Sequence, residues 1–419
     1  MKIGIYVSEL GKAIDGRNVH QGNPGLGGTE YLMILLSHYL DIYQKNAKIY
    51  LFSHQNILLE NNVINVICDE TNLNEQISKN FIDILIVKSS MPLNLFEKLA
   101  KLNLKIIVWG HNYYLSDFAD YIAQSPQVKA NVFVSKQQYD RYIDHPIIDK
   151  SIPIFNMVPN YTSIIQRNLS SNIVLYIGAL IPSKGFHLLA QIWKKIILEV
   201  PSAQLYVMGS GNLYNNNQTL GKYGIAEATY EDSFMKFLTD SQGKILKSVH
   251  FLGVIKEDKL KYLSQTSVGV VNPSGKTETF GMGIIEMNRA GIPVVTINKN
   301  GYPDTIINNE TGFLCKNLND IQSKIIFLLK NKNTNIEMGI KAKERAELFT
   351  PESIIQYWIT LINNINLNKF SFEYIRPTSN FCNNHKWLRI IIRFVRYKLK
   401  IKKLPPLINF ETFIYKKIR

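Results

Sequence analysis

The sequence predicts an α/β protein of two domains, each built on a parallel β-sheet covered by helices. Short apolar runs alternate with segments of helical periodicity along most of the chain, which is the pattern of parallel strands joined by helices. A chain of 419 residues exceeds what one hydrophobic core normally organises, so two domains are expected. Ligands of such folds bind at the carboxyl ends of the strands.

The amino-terminal half begins with a buried strand and a glycine-rich loop. Residues 3–7 are predicted as the first strand, 8–28 as a polar loop and 29–43 as a helix. Gly27 and Gly28 directly precede this helix, where bare amides can face an anion, although such a loop is also compatible with a simple turn. Further strands are predicted at 48–53, 83–88, 105–109, 131–135 and 152–155.

Residues 272–297 hold the strongest candidate site. An apolar strand at 268–271 is followed by turn residues and by a helix predicted to begin near Phe280. Glu278 and Glu286 lie at opposite ends of this opening, roughly 12 Å apart at the helical rise. Gly281 and Gly283 allow a ligand to approach the first helical turn, whose amides and dipole favour an anion.

A nucleoside diphosphate sugar fits this opening. Its phosphates would bind the amides, Glu286 the ribose and Glu278 the sugar. The alternative is that Glu278 caps the helix and Glu286 is only solvated, because short carboxylate pairs are weak motifs.

The segment 278–295, Glu-Thr-Phe-Gly-Met-Gly-Ile-Ile-Glu-Met-Asn-Arg-Ala-Gly-Ile-Pro-Val-Val, resembles the donor-site signature of family-four retaining glycosyltransferases of group 1. The resemblance implies the GT-B fold, in which two Rossmann-like domains face each other across a cleft. It also implies that Phe280, Gly281 and Met282 bind the donor, that Glu286 holds the ribose and that Glu278 acts on the transferred sugar.

Residues 178–186 are similar to the Gly-Arg-Leu-x-x-x-Lys-Gly motif of the same family, whose Arg and Lys grip the leaving diphosphate. Lys184 matches the lysine, but Ala179 replaces the arginine. The replacement removes a bidentate phosphate partner, and Lys276 is the candidate substitute.

Five more site residues follow from the resemblance. Gly27 and Gly28 match a Gly-Gly-x-Glu loop that covers the donor diphosphate. His111, just after the strand at 105–109, falls where the family has a His or Asp near the sugar and acceptor, although a lone histidine is also compatible with a structural role. Gly209 and Val254 follow strands at 204–208 and 249–253, and the loop after the second strand holds the nucleobase by backbone contacts.

The predicted domains are 1–165, which would bind the acceptor, and 166–350, which would bind the nucleotide sugar. A helix at 351–367 would cross back to the first domain, as the resemblance implies, and 385–419 would form a basic tail. The polar stretch 161–172 is the expected linker.

The implied reaction is transfer of a sugar from a UDP- or GDP-sugar to a hydroxyl of a glycan or lipid-linked acceptor, with retention of configuration, in cell-surface polysaccharide or lipopolysaccharide synthesis. No metal site is visible, so amides and Lys184 would meet the diphosphate charge. A sugar-nucleotide epimerase of the same fold and a non-catalytic binding protein remain alternatives. A dehydrogenase is disfavoured because no Gly-x-Gly-x-x-Gly follows the first strand.

Composition and charge indicate a cytoplasmic protein. Hydrophobic residues make up 46% and charged residues 19%, the three cysteines offer no disulfide framework, and no signal peptide or membrane span is predicted. Of the net charge of +15, residues 385–419 carry +10, from eleven Lys and Arg against Glu411 alone. The rest of the chain therefore gives little reason to expect nucleic acid.

The tail is predicted to form a basic amphipathic helix over 387–403 that binds an anionic membrane, on the inner face of the cell membrane. Its basic stripe would consist of Arg389, Arg393, Arg396, Lys400 and Lys403. Its apolar stripe would consist of Leu388, Ile392, Val395 and Leu399, with Trp387, Ile391 and Phe394 nearby. A helix docked on the protein's own surface, or a disordered cationic tail, is the alternative.

Overall fold

A computed structural model of the chain describes residues 1–8, 13–159, 165–169, 171–213, 219–255 and 258–418. The backbone forms two compact units, residues 1–159 with 351–419 and residues 160–350. Each unit is built on a parallel sheet, so the predicted fold class is confirmed. The units divide a few residues before the predicted limit at 165, and the expected linker falls partly outside the described residues.

The strands are β1 (Lys2–Ser8), β2 (Ile14–Asp15), β3 (Lys48–Ser53), β4 (Ile57–Leu58), β5 (Ile64–Ile67), β6 (Ile84–Lys88), β7 (Lys105–Gly110), β8 (Val128–Phe133), β9 (Ser151–Pro153), β10 (Ile173–Ile177), β11 (Gln204–Met208), β12 (Val249–Gly253), β13 (Thr266–Val270), β14 (Val294–Ile297) and β15 (Gly312–Cys315).

The helices are α1 (Gly28–Tyr43), α2 (Leu73–Asn80), α3 (Leu93–Leu99), α4 (Ser116–Gln124), α5 (Lys136–Asp140), α6 (Phe186–Glu199), α7 (Ala228–Leu238), α8 (Lys259–Gln265), α9 (Met282–Arg289), α10 (Tyr302–Thr305), α11 (Leu318–Lys330), α12 (Lys332–Ala346), α13 (Pro351–Asn366), α14 (Lys386–Arg393) and α15 (Leu407–Ile418).

The sheet of the first unit has the strand order β5-β3-β1-β6-β7-β8-β9. Its central strands are buried apolar runs, as expected for a parallel sheet covered on both faces. The strand order reverses between β1 and β6, where such sheets place their ligands. Helix α13 belongs to this unit, because the buried Trp358 packs against Trp109 of β7 with ring centroids 4.7 Å apart.

The sheet of the second unit has the order β12-β11-β10-β13-β14-β15, with its reversal between β10 and β13. Backbones approach closely where these strands end. A Cβ on Gly209 would lie 1.9 Å from the carbonyl oxygen of Gly178, and Gly209 has φ 151°, so both space and conformation require glycine there. The ends of β10 and β11 are thereby held together.

Sequence periodicity located the major elements within a few residues but missed short ones. The strands predicted at 131–135 and 152–155 are β8 and β9, which begin and end earlier. The two-residue strands β2 and β4 and the edge strand β5 were missed, since runs of two to four residues carry little periodicity.

The prediction for the tail is wrong in its shape. Helix α14 ends at Arg393, a π-helical turn covers Phe394–Lys398, and Lys400 has a left-handed φ of 56°, so 387–403 is not one continuous helix. Arg389, predicted to lie on the basic stripe, is fully buried, and Ile392 of the predicted apolar stripe is buried as well. The segment packs into the first unit because buried carboxylates of that unit pair with its cations. Within the described ranges, no helix combines the length and apolar character that a bilayer crossing requires.

Candidate functional site

The candidate site lies at the reversal of the second sheet. The loop that follows β10 carries Lys184, and the loop that follows β13 carries Glu278. Because β10 and β13 are adjacent and parallel, their carboxyl ends meet at one edge, and the two loops meet there as well. Lys184 and Glu278, which are 94 residues apart in the chain, thus belong to one site.

Lys184 and Glu278 form an ion pair, with Nζ and Oε2 3.0 Å apart. Their side chains are 22% and 17% exposed, so the pair is partly shielded from water yet reachable by a ligand. The buried Tyr176 hydroxyl donates to the Lys184 carbonyl oxygen at 3.0 Å, and Gly185 follows with a left-handed φ of 67°. The loop around Lys184 is therefore fixed by the strand that precedes it.

The two loops are also tied to each other. The Ser274 hydroxyl lies within hydrogen-bond distance of the Ser183 carbonyl oxygen, at 2.9 Å, and of Asn272 Oδ1, at 2.7 Å. Asn272 donates through Nδ2 to the Lys276 carbonyl oxygen at 3.0 Å and approaches Glu278 Oε2 at 3.4 Å. These contacts set the position of the Glu278 carboxylate before any ligand arrives.

Helix α9 begins at Met282, two residues later than predicted, with Gly281 as its N-cap at φ 98°. The N-cap glycine offers no capping side chain of its own, and the interpretation of Glu278 as the helix cap stays an alternative. Because Glu278 precedes the helix, the 12 Å separation calculated from helical rise is wrong in its premise. Helix α9 starts after the loop that follows β13, and the amides at the start of a helix favour an anion.

Glu286 lies within α9 and pairs with Lys259 of α8, with Nζ and Oε2 2.9 Å apart. The Lys259 side chain is 18% exposed and the Glu286 side chain 13%, so Glu286 is not simply solvated. Sequence reasoning missed Lys259, because no motif joins positions 27 residues apart on different helices. Its only signal is that it begins the helix after the predicted base-binding loop.

Gly209 and Val254 lie at the same edge, after β11 and β12. The Gly209 amide donates to the Gly253 carbonyl oxygen at 2.8 Å, which joins these two strand ends. Val254 is half-exposed directly beyond Gly253. The structure thus brings Lys184, Gly209, Val254, Glu278 and the start of α9 to one edge of the second sheet.

The first unit holds a second cluster at its own sheet reversal. Gly27 is the N-cap of α1 and Gly28 its first residue. Glu30, in the first turn, pairs with Lys88 at the end of β6, with Oε1 and Nζ 2.8 Å apart. A Cβ on Gly27 would lie 2.5 Å from Glu30 Oε2, so glycine leaves room for that carboxylate. Glu30 and Lys88 were not predicted, although Glu30 is the acid of the Gly-Gly-x-Glu pattern.

His111 follows β7 in the same unit and is buried, with its ring 4.4 Å from the Trp109 ring. Desolvation, reinforced by the charge of Lys88, lowers the pKa of His111 to about 3. The imidazole is therefore neutral at physiological pH and suited to hydrogen bonding rather than to carrying charge.

This pKa predicts how protonation of His111 couples to folding. In the unfolded chain the imidazole takes up a proton near pH 6.5, so the unfolded state binds more protons than the folded state between pH 6.5 and 3. As the pH is lowered from 6.5 to 3, the free energy of unfolding should therefore decrease by about 1.4 kcal/mol per pH unit. The His111→Asn variant should lack this contribution. The NMR signal of the His111 ring can be assigned because the His111→Asn variant lacks it. Its chemical shift should stay constant from pH 8 to 5. A midpoint near pH 6 would contradict this.

Ala179 stands where the family motif has an arginine, and Lys276 is the predicted substitute for that arginine. Ala179 is buried. Lys276 lines a cleft of about 240 Å³ with His187 and Lys299, and its charge adds to burial in lowering the pKa of His187. Lys276 thus contributes a positive charge to this cleft. Its role as a substitute for the family's arginine stays a prediction. Among the described residues, no group of three His, Cys, Asp or Glu side chains could hold a metal ion.

Residues 159–345 match the family model described as glycosyl transferases group 1. The chain is 25% identical over 261 residues to a trehalose synthase of Pyrococcus horikoshii, covering 55% of this chain and 58% of that protein. It is 30% identical over 186 residues to the capsular polysaccharide biosynthesis glycosyltransferase CapM of Staphylococcus aureus, covering 43% of each. The chain thus spans less than two thirds of both relatives.

A solved structure of HepE from Anabaena in complex with UDP-glucose superimposes with a TM-score of 0.61 and 14% identity, over 87% of this chain and 100% of that one. The likeness extends over both units. Together with the two parallel sheets, it shows that this chain has the GT-B fold.

Proposed function

We propose that the protein transfers a sugar from a nucleoside diphosphate sugar to a hydroxyl of a glycan or lipid-linked acceptor, a proposal supported by the match of residues 159–345 to the model of the glycosyl transferases group 1. The observation that carries the proposal is the Lys184–Glu278 pair close to the start of α9. A cation, the amides of a helix start and a carboxylate at one edge match a diphosphate joined to a polyhydroxylated group. Cell-surface polysaccharide synthesis is the proposed setting, supported by the likeness to CapM.

In this proposal the second unit binds the donor. The diphosphate lies against the amides of Phe280, Gly281 and Met282, and Lys184 meets its charge. Glu286, oriented by Lys259, accepts hydrogen bonds from the ribose hydroxyls. Val254 and the neighbouring backbone contact the base. Because backbone contacts do not distinguish uracil from guanine, the proposed donor is a UDP- or a GDP-sugar.

The reaction proceeds with retention. The bond between the anomeric carbon and the diphosphate oxygen breaks, and the acceptor oxygen forms its bond on the same face. The acceptor's proton passes to the departing phosphate oxygen. Lys184 stabilises the negative charge that develops on the diphosphate, because a preorganised cation in a partly dry site interacts more strongly with that charge than water does. Glu278 orients the sugar, and His111 of the first unit, neutral at working pH, is the proposed acceptor-side hydrogen-bonding group.

Incubation of the purified full-length protein with radiolabelled UDP- and GDP-sugars, with and without a lipid extract, tests the function. We expect slow hydrolysis of one donor alone and faster consumption when the acceptor is present. Interconversion of the sugar on an intact nucleotide would identify an epimerase instead. Nucleotide binding without turnover of any donor would identify a binding protein, the reading that Ala179 favours.

Glu278→Gln and Glu286→Gln are expected to differ in kind. Loss of the Glu286 charge should weaken binding of donor and free nucleotide by about ten- to a hundredfold, the worth of a hydrogen bond to a charged group. Loss of the Glu278 charge should lower turnover while nucleotide affinity is largely kept. Calorimetric titration with the free nucleotide and steady-state hydrolysis separate the two effects.

The matched control is Glu199→Gln, which removes the carboxylate of an exposed pair with Lys330 on the same unit. It should change neither quantity. If Glu278→Gln abolished nucleotide binding and Glu286→Gln left it intact, the two roles would have to be exchanged.

A further inference from the structure

The carboxyl-terminal segment of the first unit presents an exposed apolar surface, here called the tail face. It consists of large side chains that are each at least half exposed: Trp387, Ile391, Phe394, Phe410, Phe413 and Ile414. They come from α14, the π-helical turn and α15, which contact each other. Exposed apolar clusters of this kind mark interaction surfaces in folded proteins.

The exposed charges that the segment of the tail face itself contributes are all positive, and one of its lysines, Lys416, pairs with the exposed Asp117 of α4. Between residues 381 and 417, all of them described, no Asp or Glu is exposed, because the single acid, Glu411, is partly buried against Arg141 and Arg389. The exposed charges of this stretch are Lys398, Lys400, Lys402, Lys403, Lys416 and Lys417.

The arginines of the segment point the other way. Arg389 is fully buried and pairs with Asp144 and Glu411, and Arg393 donates to the Ile143 carbonyl oxygen at 2.7 Å. Arg396 donates to carbonyl oxygens within the segment itself. Helix α14 thus packs its basic side against the first unit and leaves most of its apolar side exposed, the reverse of an ordinary amphipathic helix. The tail face therefore points away from the unit.

We propose that the tail face docks on the surface of an anionic lipid bilayer. Aromatic side chains surrounded by lysines fit the boundary between headgroups and acyl chains, where each basic residue adds roughly 1 kcal/mol of attraction to an anionic surface. A second copy of this chain fits poorly, since pairing two tail faces would bring Lys398, Lys400, Lys402, Lys403 and Lys417 of both copies together, besides the Lys416 that pairs with Asp117. The proposal concerns the first unit and does not depend on the transfer reaction.

Tryptophan fluorescence tests this directly, because three of the four tryptophans, Trp109, Trp193 and Trp358, are fully buried and Trp387 is half exposed. On addition of vesicles of phosphatidylglycerol and phosphatidylcholine to the full-length protein, emission should shift to shorter wavelength. Lipids brominated in their acyl chains should quench it. Trp387→Phe should lose both signals while still sedimenting with the vesicles.

Trp387→Ser with Ile391→Ser and Phe394→Ser should lower the vesicle partition coefficient at least about tenfold, since three apolar side chains no longer leave water. Lys400→Ala with Lys402→Ala and Lys403→Ala should lower it similarly on anionic vesicles and not on pure phosphatidylcholine. The control, Phe81→Ser with Leu198→Ser, removes apolar side chains elsewhere that are even more exposed, 75% and 79%, and should leave binding unchanged.

Two results would overturn the proposal. One is equal vesicle binding by the triple serine variant and the wild type at physiological salt. The other is a concentration-dependent dimer in sedimentation velocity that the triple serine variant loses, without vesicle binding by the wild type, which would assign the tail face to a second copy. Hydrolysis of the donor in solution should be the same in all these variants, so a failure here is distinct from a failure of the proposed reaction.

Discussion

Lys184→Ala is expected to lower turnover of the nucleotide sugar by a hundredfold or more. Lys184 is the cation at the reversal of the second sheet that is paired with Glu278 and held by the loop after β10. A charge that acts on a departing diphosphate in a partly dry site contributes about 3 kcal/mol to lowering the barrier. Steady-state hydrolysis and transfer assays, with nucleotide affinity measured in parallel, give the effect.

Two controls separate the role of Lys184 in the reaction from a role in folding. Lys184→Arg keeps a cation and should retain more activity than the alanine variant, although its planar group differs in geometry. Lys330→Ala removes the exposed lysine that pairs with Glu199 on the same unit and should change nothing. Near wild-type turnover in Lys184→Ala would assign leaving-group stabilisation to another residue, with Lys276 as the next candidate.

Lys386→Met is expected to destabilise the first unit by about 3–5 kcal/mol, the usual cost of leaving a buried charge without its partner. Lys386 is fully buried and lies 2.7 Å from Asp140, which is almost completely buried. Hydrogen exchange of the amides in β6, β7 and β8 measures this effect in the first unit alone, since the two units need not unfold together.

The neighbouring variants sharpen this test. Lys416→Met removes the lysine of an exposed pair with Asp117 in the same segment and should cost less than about 1 kcal/mol. Lys386→Met combined with Asp140→Asn should be less destabilising than the sum of the single changes, because the uncompensated charge is gone. Full additivity of the two changes would contradict the buried pair.

The buried pairs also change how membrane binding must be tested. Deleting residues 385–419 would remove the partners of Asp140 and Asp144, both buried, and would therefore damage the first unit as well as any membrane contact. Point substitutions on the tail face avoid this, since the side chains that they change are exposed.

The two parallel sheets and the core of the candidate site could be predicted from the amino-acid sequence. The buried strands are apolar runs long enough to be recognised, and Gly281, Glu278 and Lys184 lie in loops whose spacing from those strands is local. Local spacing survives folding, because the chain between a strand and its following loop is too short to place them elsewhere. The resemblance at 278–295 and the family match at 159–345 therefore point to the same unit.

The ion pairs and the orientation of the carboxyl-terminal segment, by contrast, depend on contacts between elements that are far apart in the chain. Lys259 reaches Glu286 and Lys88 reaches Glu30 through the packing of separate elements, and no spacing in the chain encodes those contacts. Helical periodicity correctly separates basic from apolar positions around α14, but it does not say which side is inward. Asp140 and Asp144, buried in the first unit some 245 residues earlier, settle that question by pairing with Lys386 and Arg389. The basic side is drawn inward because a buried carboxylate is stable only when it is paired, and the apolar side is left at the surface.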